Sequence, residues 1–183
     1  MKTVETDLPE VLLIETETFD DNRGFFRETY QQEKFSALGL DVTFVQDNLS
    51  HSKKNVLRGL HFQEPRSQGK LVQVIQGEIF DVVVDVRQGS PGSGQWIGVA
   101  LSAVAGNMLW VPQGFAHGFA VLSDSAEVLY KVTDFWAPET EQVIRWDDPD
   151  IGIDWPVSNP ILAEKDAQAP TLAAAKVLPH YRP

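Results

Sequence analysis

The chain has no cysteine, only four histidines in 183 residues, and 15 Lys and Arg against 26 Asp and Glu. Each shortage excludes something. Without cysteine there is no disulfide, no thiolate metal site and no thiol nucleophile, which fits a reducing cytoplasm. A net charge of −11 leaves no broad basic face for nucleic acid. No apolar run approaches the roughly 20 residues that span a bilayer. The opening MKTVETDLPEVLLIE lacks the basic region and sustained apolar region of a signal peptide. His51, His61, His117 and His180 are scattered, with no His-x-His pair to begin a metal site. The loop GSPGSG (89–94) has the wrong glycine spacing to cradle phosphate and precedes a strand. No Gly-x-Ser-x-Gly elbow occurs.

What is present is mostly β-type. The stretches 11–16, 24–30, 41–50, 55–63, 70–87, 95–102, 107–112, 114–123 and 126–136 are rich in β-branched and aromatic residues and broken by turn residues. Only QQEKFSALG (31–39) has helical spacing, with Gly39 as its stop. Many short strands without alternating helices predict a β-sandwich or barrel. Neither a repeat nor a linker interrupts the chain, and a single domain over 1–183 is expected. From about Asp147 it turns Pro-rich, predicting a loose tail with a short helix. In IFDVVVDVR, alternation puts Phe80, Val82, Val84 and Val86 on the buried face and Asp81 and Asp85 on the other.

Several strands break the alternation with polar residues on apolar faces. Tyr130 is in register with Val128 and Val132, Lys70 with Val72 and Val74, and His117 with Phe115 and Phe119. Gln46 and Asn48 extend the face of Val42 and Phe44. Each has an ordinary explanation, since buried tyrosines bond to the backbone and strand-end lysines snorkel. Burying an unpartnered polar group costs a few kcal/mol, however. Five such residues aimed at one interior point to a barrel mouth that binds something polar. In RGLHFQ (58–63), strict alternation separates Arg58 from His61; a bulge at Gly59 would bring both to one pocket. The chemistry of this set is acid–base. A histidine accepts protons near neutral pH, a tyrosine with a pKa of about 10 can donate, and a lysine can steady an oxyanion. Together they suit proton abstraction and return beside a ketone.

The segments DNRGFFRE (21–28), FVQDNLSHSKKNVLRGLHFQ (44–63), QGKLVQVIQGEIFDVVVDVR (68–87), VPQGFAHGF (111–119), YKVTDFWAPETE (130–141) and LAEKDAQAP (162–170) closely resemble the dTDP-4-dehydrorhamnose 3,5-epimerase family. The resemblance implies a mainly β, cupin-like jelly roll with a few short helices, acting as a homodimer on a dTDP-sugar, with no metal and no cofactor. It implies His61 as proton acceptor, Asp166 as its partner, Tyr130 as proton donor and Lys70 at the enolate oxygen. Arg23, Phe26, Glu28, Gln46, Asn48, Arg58, His117, Glu141 and Lys165 match positions that hold sugar and nucleotide diphosphate. One position departs. Where the family commonly has a tyrosine stacked on thymine, this chain has Trp136, whose larger face should keep the stack. Rival readings are a mono-epimerase or 3,4-ketoisomerase on the same scaffold, and a sugar-nucleotide-binding cupin without catalysis.

Overall fold

A computed structural model describes residues 1–182. Its strands are β1 (Lys2–Val4), β2 (Leu12–Glu15), β3 (Thr18–Asp21), β4 (Gly24–Arg27), β5 (Gln46–Lys53), β6 (Leu57–Gln63), β7 (Lys70–Gln76), β8 (Glu78–Asp85), β9 (Trp96–Ser102), β10 (Met108–Val111), β11 (Phe115–Val121), β12 (Ser125–Val132) and β13 (Glu141–Val143). Two short helices join them, α1 (Gln32–Ala37) and α2 (Glu164–Ala167). The larger sheet runs β1-β2-β10-β7-β12-β5, the smaller one β13-β6-β11-β8-β9, and β3-β4 form a separate hairpin. The result is the expected cupin-like jelly roll.

The two sheets close on a core of Val72, Val74, Leu109, Val111 and Val128 from one side and Ile79, Val83, Leu101, Phe115, Phe119 and Val121 from the other. The outer face of the smaller sheet and part of the larger sheet's are covered as well. Phe35 and Leu40, on and just after α1, pack over Ile14, Leu71, Met108 and Trp110 on the larger sheet. Ile144, Ile151 and Trp155 pack over Leu60, Phe62, Val82, Val84 and Ala116 on the smaller one. At about 1.5–3 kcal/mol for each large apolar side chain removed from water, these three clusters supply the main drive to fold.

Double coverage explains where the sequence reading fails. β8 is buried on both faces, so Asp81 and Asp85 are 0% and 1% exposed and share the interior face with Ile79 and Val83. The Phe80, Val82, Val84 and Val86 face packs outward, beneath the C-terminal segment. That segment is irregular, but it is packed rather than loose: Trp155, Leu172 and Leu178 lie against the sheet. The run 70–87 is two strands, turned at Gly77, whose φ of +80° and crowding by Ser125 and Ser123 admit no side chain. The strand expected over 41–50 begins only at Gln46 and runs to Lys53, and the run expected to Trp136 ends at Val132. β1, β3 and β13 were not expected. The helix is where its spacing puts it, opened by the Gln31 side chain accepting from the Lys34 N–H (2.6 Å) and closed by Gly39 at φ +86°.

Candidate active site

The mouth between the sheets holds a cavity of about 330 Å³. Its geometry begins with a glycine. β6 pairs with β11 so that His61 faces His117 and Arg58 faces Phe119, which leaves β6 one residue longer over that interval. The extra length is taken up at Gly59, whose φ is +125°. A Cβ there would come within 2.5 Å of the Gly118 Cα, so only glycine fits. The bulge expected from the sequence is thus present, and both Arg58 and His61 line the cavity.

His61 is paired with Asp166 of α2, Nε2 to Oδ1, at 2.6 Å. Asp166 is 1% exposed, and its Oδ2 accepts the Gly59 N–H at 3.3 Å. Burial alone would raise the Asp166 pKa, but the His61 hydrogen bond and charge outweigh it and hold it below the usual carboxylate range. An ionised carboxylate only accepts, so Nε2 of His61 carries the proton and Nδ1 is left as the acceptor. Tyr130 stands on the opposite sheet, between buried Val128 and Val132. Burial raises its pKa, with Arg58 pulling down and Glu141 pushing up. Lys70 is 7% exposed and donates to the His61 carbonyl at 3.1 Å. Burial lowers its pKa to about 8, against the pull of Asp81 and Glu141.

A second His–Asp pair shares the chamber: His117 Nε2 lies 2.7 Å from Asp81 Oδ1. Asp81 Oδ2 has no hydrogen-bond partner among the described residues. Arg58 leans over the rim, donating to Ser52 Oγ (2.9 Å) and the His51 carbonyl (3.2 Å). Lys165 and Glu141 pair at 2.7 Å. Gln46 donates to Asn48 Oδ1 (2.7 Å) and accepts the Trp136 N–H (3.1 Å). The fold therefore gathers His61, Asp166, Lys70, Tyr130, Asn48, Arg58, His117, Trp136, Glu141 and Lys165 around one cavity, with Gln46 braced behind.

Three expected residues are elsewhere. Arg23 sits at the tip of the β3–β4 hairpin, bonded to Asp21; Phe26 on that hairpin is 68% exposed; Glu28 is paired with Lys34. None lines the cavity of its own chain. Conversely, Gln63, Gln68, Ser50 and Phe119 line it without having been singled out, and Asp81 backs it. Gln63 was readable as sharing His61's face, but an amide beside a glycine bulge signals nothing by composition alone. Among the described residues no three His, Asp or Glu side chains converge as a metal would require.

A family model described as dTDP-4-dehydrorhamnose 3,5-epimerase matches residues 5–174. A protein of that name from Pseudomonas aeruginosa is 54% identical over 181 residues, covering 98% of this chain and 100% of the relative. One from Salmonella typhimurium is 55% identical over 178 residues, covering 96% and 97%. A 3,5-epimerase of Legionella pneumophila, crystallised with dTDP-4-keto-L-rhamnose, superposes with a TM-score of 0.96 at 47% identity, covering 100% of this chain and 99% of that one.

Proposed function

The chain belongs to the dTDP-4-dehydrorhamnose 3,5-epimerase family, and we propose that its His61 removes protons from C3 and C5 of the sugar while Tyr130 returns them from the opposite face. The enzyme is an isomerase, converting dTDP-4-dehydro-6-deoxy-D-glucose to dTDP-4-dehydro-L-rhamnose for rhamnose biosynthesis. The C4 ketone acidifies the hydrogens on both neighbouring carbons, so one base can serve two centres. At each, the C–H pair moves into an enolate as His61 Nδ1 takes the proton, with Asp166 as countercharge to the imidazolium. The Lys70 ammonium meets the charge gathering on O4. The Tyr130 O–H then gives its proton to carbon from the other side, and before the second centre reacts His61 releases its proton to solvent and the Tyr130 phenolate takes one back. The observation that carries this reading is that His61 and Tyr130 project into one cavity from opposing sheets. Arg58 and Lys165 at the rim suit the diphosphate, and Trp136, 57% exposed, suits the base.

Deuterium separates the two roles. In heavy water, His61→Asn should lose both epimerisation and exchange at C3 and C5. Tyr130→Phe should still exchange deuterium, largely with retention, while inverted product falls by about 10²–10⁴-fold. Inversion of both centres at near-parental rate by Tyr130→Phe would sink the two-sided mechanism.

We also propose a homodimer in which the β3–β4 hairpin serves its partner. It belongs to neither large sheet, exposes Phe19, Phe25 and Phe26, and carries Arg23 and Phe26 away from its own cavity, with Glu28 just beyond it. Mixing an Arg23→Ala/Phe26→Ala variant with His61→Asn should then restore activity, to about a quarter of parental if subunits exchange freely between twofold dimers. No recovery in mixtures shown to have exchanged would return the hairpin to its own chain.

A further inference from the structure

β12 ends at Val132, and the chain from Asp134 to Ala137 has no strand beside it. Its backbone is nonetheless hydrogen-bonded at four consecutive residues, each time by a glutamine side chain. Gln68 donates to the Asp134 carbonyl (2.8 Å) and Gln63 to the Phe135 carbonyl (3.2 Å). Gln46 accepts from the Trp136 N–H (3.1 Å), and Gln63 accepts from the Ala137 N–H (2.9 Å). The second N–H of Gln63 goes to the Arg66 carbonyl (2.9 Å), in a loop where Arg66 takes a φ of +72° and its guanidinium clasps the Asp134 carboxylate (2.6 Å). Gln63 and Gln68 are 3% and 8% exposed, so these amides are interior groups, not surface decoration.

At the centre of this clasp is Trp136, whose indole is more than half exposed and so gains little fixity from packing. Its position has to come from the main chain on either side. We propose that Gln63 and Gln68 are positioning residues for the nucleotide: they lock the backbone flanking Trp136 so that the indole waits in a fixed pose for the base of a nucleoside diphosphate. The proposal rests on the reading that Trp136 stacks on that base. Both amide N–H groups and the carbonyl of Gln63 are already committed, so Gln63 acts through Trp136 and not by touching the ligand.

The test is a double-mutant cycle with dTDP as the titrant, read by calorimetry on the parent, Gln63→Met, Trp136→Ala and the double variant. Methionine keeps the volume of Gln63 and removes its three hydrogen bonds. Losing a pre-set aromatic should weaken dTDP binding about tenfold in the parent background, raise KM much more than it lowers kcat, and have less than about a twofold effect once Trp136 is gone. An equal loss in both backgrounds would overturn the proposal. A second readout stands apart from the ligand. The indole N–H resonance of Trp136, assigned by its absence in Trp136→Ala, should show raised fast-timescale mobility in Gln63→Met. A rigid indole in that variant also overturns the proposal. If Trp136→Ala bound dTDP like the parent while Gln63→Met still loosened the indole, the stacking reading would fall and take the nucleotide role with it, while the clasp's hold on the indole would stand. Should Gln63→Met not fold, Gln68→Met removes one anchor and is held to the same two outcomes.

Discussion

Asp81 and Asp85 stand four residues apart on the interior face of β8, equally buried and differently furnished. Asp85 Oδ1 accepts the Arg87 N–H (3.0 Å) and Nε (2.9 Å), and its Oδ2 accepts Arg87 Nη2 (2.8 Å) and Ser90 Oγ (2.5 Å). Burial alone would raise its pKa, but the bonds from Arg87 and Ser90 prevail and hold it low. Arg87 in turn grips Glu10 at 2.7 and 2.9 Å and lies over Phe115 and Tyr181, at 4.2 and 5.0 Å. Among the described residues, Asp81 has His117 on one oxygen and nothing on the other, and nearby Lys70 donates one hydrogen bond out of three. One end of the barrel is a closed account of donors and acceptors that ties the N-terminal segment to the C-terminal one. The other leaves donors and acceptors uncommitted, which in a buried place marks where a ligand completes the set.

The comparison breaks if charge removal has the same effect at both ends. Arg87→Met leaves Asp85 buried without its cation, and should cost about 3–5 kcal/mol of stability by chemical denaturation, with kcat of the folded enzyme unchanged. A parallel loss of kcat would mean the closed end reaches the chemistry.

Lys70→Met should do the reverse. It withdraws the cation proposed to meet the charge on O4 and should lower kcat by about 10²–10³-fold, the usual scale for one oxyanion donor. Its folded pKa of about 8 lies below the unfolded value of 10.5. The charged form therefore opposes folding at every pH below about 8, and that penalty fades as pH rises from 8 toward 10.5. Removing the amine at pH 7 should stabilise the protein by about 2 kcal/mol, the penalty less one hydrogen bond to the His61 carbonyl. The same titration should give parental kcat/KM a basic limb near pH 8, absent from Lys70→Met. A destabilised Lys70→Met that kept the limb would remove Lys70 from this role.

Much of the site was legible because polar residues on apolar strand faces have few ordinary homes. Tyr130, Lys70 and His117 all point where alternation puts them, and the Gly59 bulge follows from needing Arg58 and His61 in one pocket. Asp81 was read onto the wrong face for a physical reason. Alternation assigns faces only when one side is wet, and β8 is dry on both. The split at Gly77 is written in Gln76-Gly77-Glu78, a glycine between two polar residues; the long apolar runs on either side masked it. Arg23, Phe26 and Glu28 were expected at the site only through the family resemblance, and the single chain places none of them in its own cavity. The clasp around Trp136 was invisible, since it is made of side chains separated by up to 90 positions acting on main-chain atoms.

That clasp has an evolutionary corollary. Gln46, Gln63 and Gln68 grip peptide groups at 134–137 and never the side chain at 136. Residue 136 is thus an exchangeable fitting in a standard socket. Tryptophan, tyrosine or phenylalanine can be installed there without reworking the mount, so on the proposed stacking role a change of nucleobase preference would need no change in the groups proposed for the proton chemistry.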